Sequence, residues 1–339
     1  MTAGHLSMRI HRRTLAVSAT LLAVVGIATA VSVSVGDFAI PLRDVVPAVF
    51  GFGNPDSHFI VRALRLPRAL TGALVGAAFG LSGAIFQSLA RNPLASPDII
   101  GITAGASAAA VAVIVWVGGS STLVATGAFG GAALTATAIY LLAYRRGVTG
   151  YRLVLVGVGL AAVLHAVTSY LLTRADIFNA QRATVWLTGS LNGRSWDHVR
   201  PVAVALAVVI PVAMTLGRQL RLLELGDDTA KGLGVRVEPA RAALIAAAVV
   251  LAAVATASAG PIAFVALVAP QIARRLVHTA GATLVPAAVV GAALVLLADL
   301  GARRAFAPTE LPVGVVTGII GAPYLLWLLA RANRIGAGG

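Results

Sequence analysis

The segment ALTGALVGAAFGLSGAIFQSL, residues 69–89, carries no charged side chain from Ala69 to Leu89. About 20 mostly apolar residues suffice to cross the hydrocarbon core of a bilayer as a helix. Its glycines Gly72, Gly76, Gly80 and Gly83 recur three or four positions apart. On a helix that spacing makes one lane of small residues, against which a neighbouring backbone packs closely. One buried, membrane-crossing helix is therefore expected at residues 67–89.

Working outward, similar runs occur at 14–35, 98–117, 122–143, 152–173, 199–217, 241–259, 262–277, 283–302 and 312–330. The reading is an all-α polytopic membrane protein of ten transmembrane helices. Composition agrees: of 339 residues 58% are hydrophobic and 11% charged, against roughly 25% charged in a soluble domain. No stretch between the runs is long enough for a second, soluble domain. The expected division is a terminus at 1–13, one ten-helix membrane domain at 14–335 with an inner connector at 218–240, and a tail at 336–339. Pro270, Gln271 and Arg274 interrupt the eighth run.

The formal charge is +14, and every basic residue but Lys231 is arginine. The arginines stand at the ends of apolar runs and form no stripe, so a nucleic-acid partner is not expected. With ten crossings and an inner N-terminus, the larger share of the 26 basic residues falls on the inner side, as positive-inside orientation requires. Both termini are then cytoplasmic, and the richness in Ala, Val, Gly and Arg points to a bacterium and so to its cytoplasmic membrane. His11-Arg12-Arg13 with Ala28-Thr29-Ala30 imitates a cleaved leader. The run from Thr14 to Val35 exceeds the 7–15 residues of a leader's apolar region, so a retained first span is expected.

Four polar places carry the functional reading. In the inner connector, Leu222-Leu223-Glu224-Leu225-Gly226-Asp227-Asp228 continues through Ala230 and Lys231 to Leu233-Gly234-Val235. Gly226 and the aspartates read as a turn and helix start, with Gly234 closing the helix. Leucines on a short helix outside the bilayer ask for a protein groove. Lys231 is followed by Gly232 where a nucleotide-binding loop needs Ser or Thr, so the chain is not itself an ATPase. On the outer side Arg62, Arg65, Pro67 and Arg68, with Arg303 and Arg304, oppose the charge bias and suggest an acidic partner. Asp299 is expected to pair with Arg303 one turn later.

Arg91-Asn92-Pro93-Leu94-Ala95-Ser96-Pro97-Asp98 reads as a tight inner turn, with Ser96-Pro97-Asp98 starting the next helix. Glu310-Leu311-Pro312 does the same for the last span. His165, Gln87, Ser107 and Thr168 are isolated polar groups inside spans, where an ionisable side chain is a functional candidate. There is no cysteine, nothing has metal-ligand spacing, and no cofactor is expected.

Arg65-Leu66-Pro67-Arg68, Gln87 with Arg91-Asn92-Pro93-Leu94-Ala95, Gly101 to Ala106, and Trp186 with Gly189-Ser190-Leu191 form an ordered set. It continues with Leu225-Gly226 to Leu233-Gly234, Gly260-Pro261-Ile262 to Pro270, Asp299 with Arg303, Glu310-Leu311-Pro312-Val313-Gly314, and Gly321-Ala322-Pro323. In these pieces the chain resembles the permease family that imports ferric siderophores, haem and vitamin B12 through ABC transporters. The resemblance implies the ten-helix fold of the vitamin B12 permease and a second permease subunit, sister or identical. It implies two ATPase subunits on the connector, at Leu222, Leu225, Gly226, Asp227, Ala230, Leu233 and Gly234. It also implies an extracytoplasmic binding lipoprotein, docked through Arg65, Arg68 and Arg303.

Gln87, Asn92, Pro93, Gly260, Pro261, Pro270, Glu310, Pro312 and Gly314 are the structural or pathway positions it implies. Many members have Gly-Leu and Pro-His where this chain has Ala266-Leu267 and Pro270-Gln271. Ala269-Pro270-Gln271-Ile272-Ala273-Arg274 is similar to one partner of the ferric-enterobactin heterodimer, which favours a ferric siderophore and an unlike partner. The rival readings are an ion-coupled carrier using Asp299, Glu310 or His165, a permease for haem, cobalamin or metal ions, and a membrane-embedded enzyme.

Overall fold

The computed structural model describes residues 12–36, 38–52, 55–145, 147, 149–279, 281–305 and 309–336. Most of the expected terminus 1–13 and of the tail 336–339 lies outside them. The described residues form helices and turns with no strand.

The chain begins with α1 (Arg12–Ser34), then α2 (Leu42–Phe50) and α3 (Pro55–Phe59). A π-helical turn over Ile60–Arg65 leads into α4 (Leu66–Ala90). Next come α5 (Ile102–Ala112), closed by a π-helical turn at Val113–Val117, α6 (Ser121–Ala143), α7 (Gly150–Arg174) and the short α8 (Ile177–Leu187). The remainder is α9 (Trp196–Thr215), α10 (Gly217–Glu224), α11 (Asp227–Gly232), α12 (Val237–Ala259), α13 (Val265–Val277), α14 (Leu284–Arg304) and α15 (Val313–Gly336).

Each of the ten expected runs falls on a helix. Among the described residues seven helices are long and apolar enough to cross a membrane by length and composition: those of α1, α4, α6, α7, α9, α12 and α14. Ile102–Val117 and Val313–Trp327 are shorter apolar helices. The expected crossing at 262–277 contributes only α13, 13 residues long. At 1.5 Å per residue that is about 20 Å, short of the ~30 Å hydrocarbon core.

The core is α4, wrapped by α12, α13 and α14, and the small-residue lane is what admits α13 and α14. A methyl group on Gly76 would collide with the Gly291 carbonyl of α14, one on Gly80 with that of Ala287, and one on Gly83 with that of Ala266 in α13. Backbones this close gain dispersion contacts along their length, the main attraction available between helices already out of water. Phe79, Ile85 and Phe86 fill the adjoining space and are fully buried. α1, α6, α7 and α9 turn most of their surface outward instead.

Two entries are not helical where helices are expected. Ser96-Pro97-Asp98 does not start α5: residues 97–101 form turns, and the helix begins at Ile102 after a left-handed Gly101. Residues 260–263 are likewise non-helical, and α13 begins only after a left-handed Phe264. Both segments are packed inside the protein: Gly101 against Gly157 and Ala161 of α7, Gly260 against Trp186 and Gly189. That is the setting in which irregular backbone is tolerated at membrane depth.

Candidate functional site

The connector between α9 and α12 is a braced unit. Leu220, Leu223 and Ala230 are buried and seat α10 and α11 on the bundle, while Leu225 and Leu233 stand exposed. Ala230, expected among the ATPase-coupling residues, faces inward and seats α11, and Leu222 is partly buried against the core. Gly226 and Gly234 take positive φ at either end of α11. The unit is locked by Arg241 of α12, whose Nη2 donates to Asp227 Oδ1 at 2.6 Å and whose Nη1 donates to Glu238 at 3.0 Å. Arg91, left-handed at the end of α4, approaches the same Asp227 oxygen at 4.0 Å. Arg241 is almost wholly buried, and a buried guanidinium needs such paired acceptors. In sequence Arg241 looked like one more boundary arginine.

Beside the connector, Gln87 of α4 and Gln271 of α13 join three segments. Gln87 Nε2 donates to the Leu267 carbonyl at 2.9 Å. Gln271 Nε2 donates to Gln87 Oε1 at 2.9 Å and to the Pro93 carbonyl at 3.0 Å. Arg274 also donates to Gln87 Oε1. Asn92 shapes the intervening turn, its Oδ1 accepting from the Leu94 amide at 2.9 Å. Pro270 is buried within α13. Asp98 lies within the irregular turns before α5 instead of opening a helix.

At the opposite end three motif pieces meet through their backbones. The Ser190 amide donates to the Ala259 carbonyl at 2.8 Å, and the Gly314 amide donates to the Gly189 carbonyl at 3.1 Å. Side chains are excluded there: a methyl on Gly189 would strike the Pro261 carbonyl, and one on Gly314 the Thr188 carbonyl. Pro312 precedes α15, and its carbonyl accepts from the Val315 amide. Residues far apart in sequence, Gly189, Gly260, Pro261 and Gly314, are thus one junction of α8, α12, α13 and α15.

The outer arginines also hold this end together. Arg68 donates to Asp299 Oδ1 through Nη2 at 3.0 Å and Nε at 3.2 Å, and to Glu310 through Nη1 at 2.9 Å. Arg303 Nε lies 3.1 Å from Asp299 Oδ2, the pairing expected one turn apart. Arg303 also donates to Ser32 Oγ at 2.6 Å. Arg65 donates to the carbonyls of Val33, Ser34 and Phe38. Asp299 is 2% exposed by side chain, Arg303 10% and Arg68 13%, whereas Glu310 is 39% exposed. Of the isolated candidates, Ser107 and Thr168 are buried, Thr168 donating to the Leu164 carbonyl. His165 is on the exposed face of α7, away from the Asp299 cluster on α4 and α14.

Two interior cavities, of about 10 and 20 Å³, are lined by Phe86, Arg241 and Ile245 and by Leu81, Ile210 and Ala288. Each holds a water molecule at most. Among the described residues no cluster of three or more His, Asp or Glu side chains suits a metal ion.

The FecCD transport family profile matches residues 21–331. Over 299 residues the chain is 45% identical to the ferric enterobactin transport system permease protein FepG of Escherichia coli, covering 88% of this chain and 91% of that protein. It is 42% identical to the achromobactin transport system permease protein CbrC of Dickeya dadantii, over 98% of this chain and 96% of that one. Among solved structures, a metal-chelate type ABC transporter in an inward-facing conformation superposes with a TM-score of 0.84. It shares 28% identity and covers 94% of this chain and 99% of that one.

Proposed function

The chain belongs to the FecCD transport family, and from that membership we propose that it is the membrane permease of an ATP-driven importer for ferric siderophores. The relatives transport ferric enterobactin and achromobactin by their names, which supports an iron chelate as cargo over haem or cobalamin. An ion-coupled carrier is not favoured, since Asp299 is engaged by Arg68 and Arg303 and His165 lies apart from it.

The observation that carries the mechanism is the braced connector. A helix pair presenting Leu225 and Leu233 outside the bundle, fixed to α4 and α12 through Asp227, suits a groove on an ATPase subunit. A push on α11 reaches Arg241 directly, and Arg91 lies on the same Asp227 oxygen. From α4 and α13 it continues through Gln87, Gln271 and Pro93 to the two irregular entries. Leu222, Leu225, Gly226, Asp227, Leu233 and Gly234 are assigned to that coupling surface, with Ala230 as its inward anchor. Residues 14–335 act as one domain with 218–240 as the coupling loop, crossing the cytoplasmic membrane ten times with both termini cytoplasmic, the non-helical residues 260–264 completing the depth that α13 alone lacks.

Neither of the two small interior cavities described above admits a chelate, which supports a passage between two permease subunits. The outward apolar faces of α7 and α15 are available for that pairing, and the Gln271 variant of the eighth span favours an unlike sister. Two ATPase subunits supply the energy, and an extracytoplasmic lipoprotein delivers the cargo. It docks by acidic residues on the surface organised by Arg65, Arg68 and Arg303. Those arginines hold the fold as well, so charge reversal there lowers stability together with docking.

The test is uptake of a ferric catecholate siderophore into vesicles carrying the permease pair, with and without the ATPase subunits. ATP-dependent accumulation only in the complete assembly is expected. Accumulation driven by a pH difference alone would overturn the assignment, and a fully active homodimer would remove the unlike partner.

A further inference from the structure

The turn between α8 and α9 holds a charged cluster that lies apart from the coupling route. α9 opens on Ser195-Trp196-Asp197-His198, a capping box in which histidine stands where glutamate or glutamine is usual. His198 Nδ1 faces the Ser195 amide at 3.2 Å and Ser195 Oγ at 3.2 Å. Its other nitrogen, Nε2, faces Arg194 Nη1 at 3.1 Å and, from the start of α6, Ser121 Oγ at 3.5 Å. Arg194 is itself folded into the turn, its Nε donating to the Ser190 carbonyl at 3.0 Å. One imidazole therefore ties together the first turn of α9, the 190–195 turn and α6. Ser190 in the same turn already belongs to the junction with Ala259, beside Gly189 and Gly314.

The two donors on either side of the ring set a condition on its charge. Amide and guanidinium N–H groups only donate, so each needs a bare ring nitrogen. A neutral imidazole has one, which serves either the Ser195 amide or Arg194, while its own N–H is turned to the serine hydroxyl on the other side. A protonated imidazole has none. Protonation thus ends the cap and the Arg194 contact together, and sets two cations against each other 3.1 Å apart.

The surrounding charges do little to offset that repulsion. On α9 the nearby acid is Asp197, which is 81% exposed by side chain, lies 3.8 Å from Arg200 and has Oδ2 3.5 Å from Ser195 Oγ. α6 contributes the uncharged Ser121. Arg182 of α8 donates to the Gly119 carbonyl ahead of α6. Trp196 Nε1 donates to the carbonyl of Arg62, whose guanidinium meets His58 at 3.1 Å. Both arginines add positive charge to this end of the molecule.

We infer that His198 is a pH-sensitive latch on the side opposite the connector. Neutral, it closes the 190–198 segment onto α9 and α6; protonated, it releases Arg194 and uncaps α9. The closed form belongs above about pH 6.5, the ordinary imidazole value, and is lost as the pH falls. The latch depends on local contacts alone, so it stands apart from the cargo and the partner subunits.

The chain has no cysteine, so Asn192→Cys, on the exposed part of the turn, takes a single nitroxide label. Its line shape is recorded from about pH 8 to about pH 5, the range in which imidazole changes charge, on the full chain in phosphatidylethanolamine–phosphatidylglycerol nanodiscs. His198→Gln is the control, since glutamine is an ordinary capping-box partner and takes up no proton. The expected result is an immobilised label that gains a mobile component reversibly as the pH falls, and a His198→Gln background that keeps the high-pH line shape throughout. No change in the native background, or the same change in the His198→Gln background, would overturn the latch. Nitrogen-15 spectra of the histidine-labelled chain, read on the His198 ring, give the protonation midpoint directly. A midpoint more than about one pH unit from that of the line-shape change would overturn it too.

Discussion

Replacing Asp299 by Asn removes one negative charge from a place where two guanidinium groups depend on it. Arg68 and Arg303 approach Asp299 at 3.0 and 3.1 Å, and all three side chains are largely withdrawn from solvent. With charge centres near 4 Å and an effective dielectric constant of 20, each pair is worth about 4 kcal/mol before desolvation. Asparagine keeps the shape and a carbonyl acceptor but not the charge. Arg68 then retains Glu310 at 2.9 Å, while Arg303 retains only Ser32 and the Val35 carbonyl. A net loss of about 3–5 kcal/mol follows, the range for breaking a buried pair from one side. Glu310→Gln removes a half-exposed partner and should cost about 1 kcal/mol or less. The assay is denaturant unfolding in detergent, followed by tryptophan fluorescence. Arg303→Gln and the double variant close a thermodynamic cycle, with an expected coupling of up to about 3 kcal/mol. If Asp299→Asn cost no more than Glu310→Gln, the network would be solvated and the reasoning wrong.

Gly80→Val drives a branched side chain into the Ala287 carbonyl of α14. It should destabilise by about 3 kcal/mol or more, and unfolding at the wild-type denaturant midpoint would refute the close-packed lane. Gly234→Arg puts an L-residue at φ +81 with open space around its Cβ, a local strain of about 1–2 kcal/mol. The expected outcome is a folded permease whose ATPase partners still turn over while uptake fails, and full transport would remove Gly234 from the coupling surface. Asp176 caps α8: the Asn179 amide, then the Asn179 side chain and the Phe178 amide, hold its carboxyl below the ordinary carboxylate range. Its stabilisation is present above about pH 3.9, the unperturbed value, and is lost as pH falls through the depressed one. Amide exchange at Phe178 and Asn179 should accelerate there beyond the intrinsic rate, and unchanged protection between pH 5 and 3 would refute the cap.

Much of the fold was legible because a bilayer imposes a one-dimensional rule. Each span must be apolar over a fixed length and satisfy its own backbone, so α1, α4, α6, α7, α9, α12 and α14 could be read off the chain. The close approach at Gly76, Gly80 and Gly83 was legible for a similar reason, since spacing alone puts these residues on one helix face. The Asp299–Arg303 pair, four residues apart, was equally local. The two irregular entries were missed for a physical reason. Ser96-Pro97-Asp98 has the composition of a helix start, yet residues 97–101 form turns that place Gly101 against Gly157 and Ala161 of α7, more than 50 residues away in sequence. Arg241 was missed because only tertiary packing buries it beside Asp227.

By itself the chain order fixed a polytopic helical membrane protein, the position of its connector, and the motif residues that relate it to its family, because hydropathy, helix period and turn chemistry act over a few neighbouring residues. Tertiary structure alone decided that Gly189, Gly260, Pro261 and Gly314 make one junction. It also decided that Arg65, Arg68 and Arg303 are spent largely on internal acceptors, that Ala230 faces inward, and that His198 reaches Ser121 of α6. Those outcomes depend on which surfaces meet across the bundle, and burial and charge pairing exist only once distant segments are brought together.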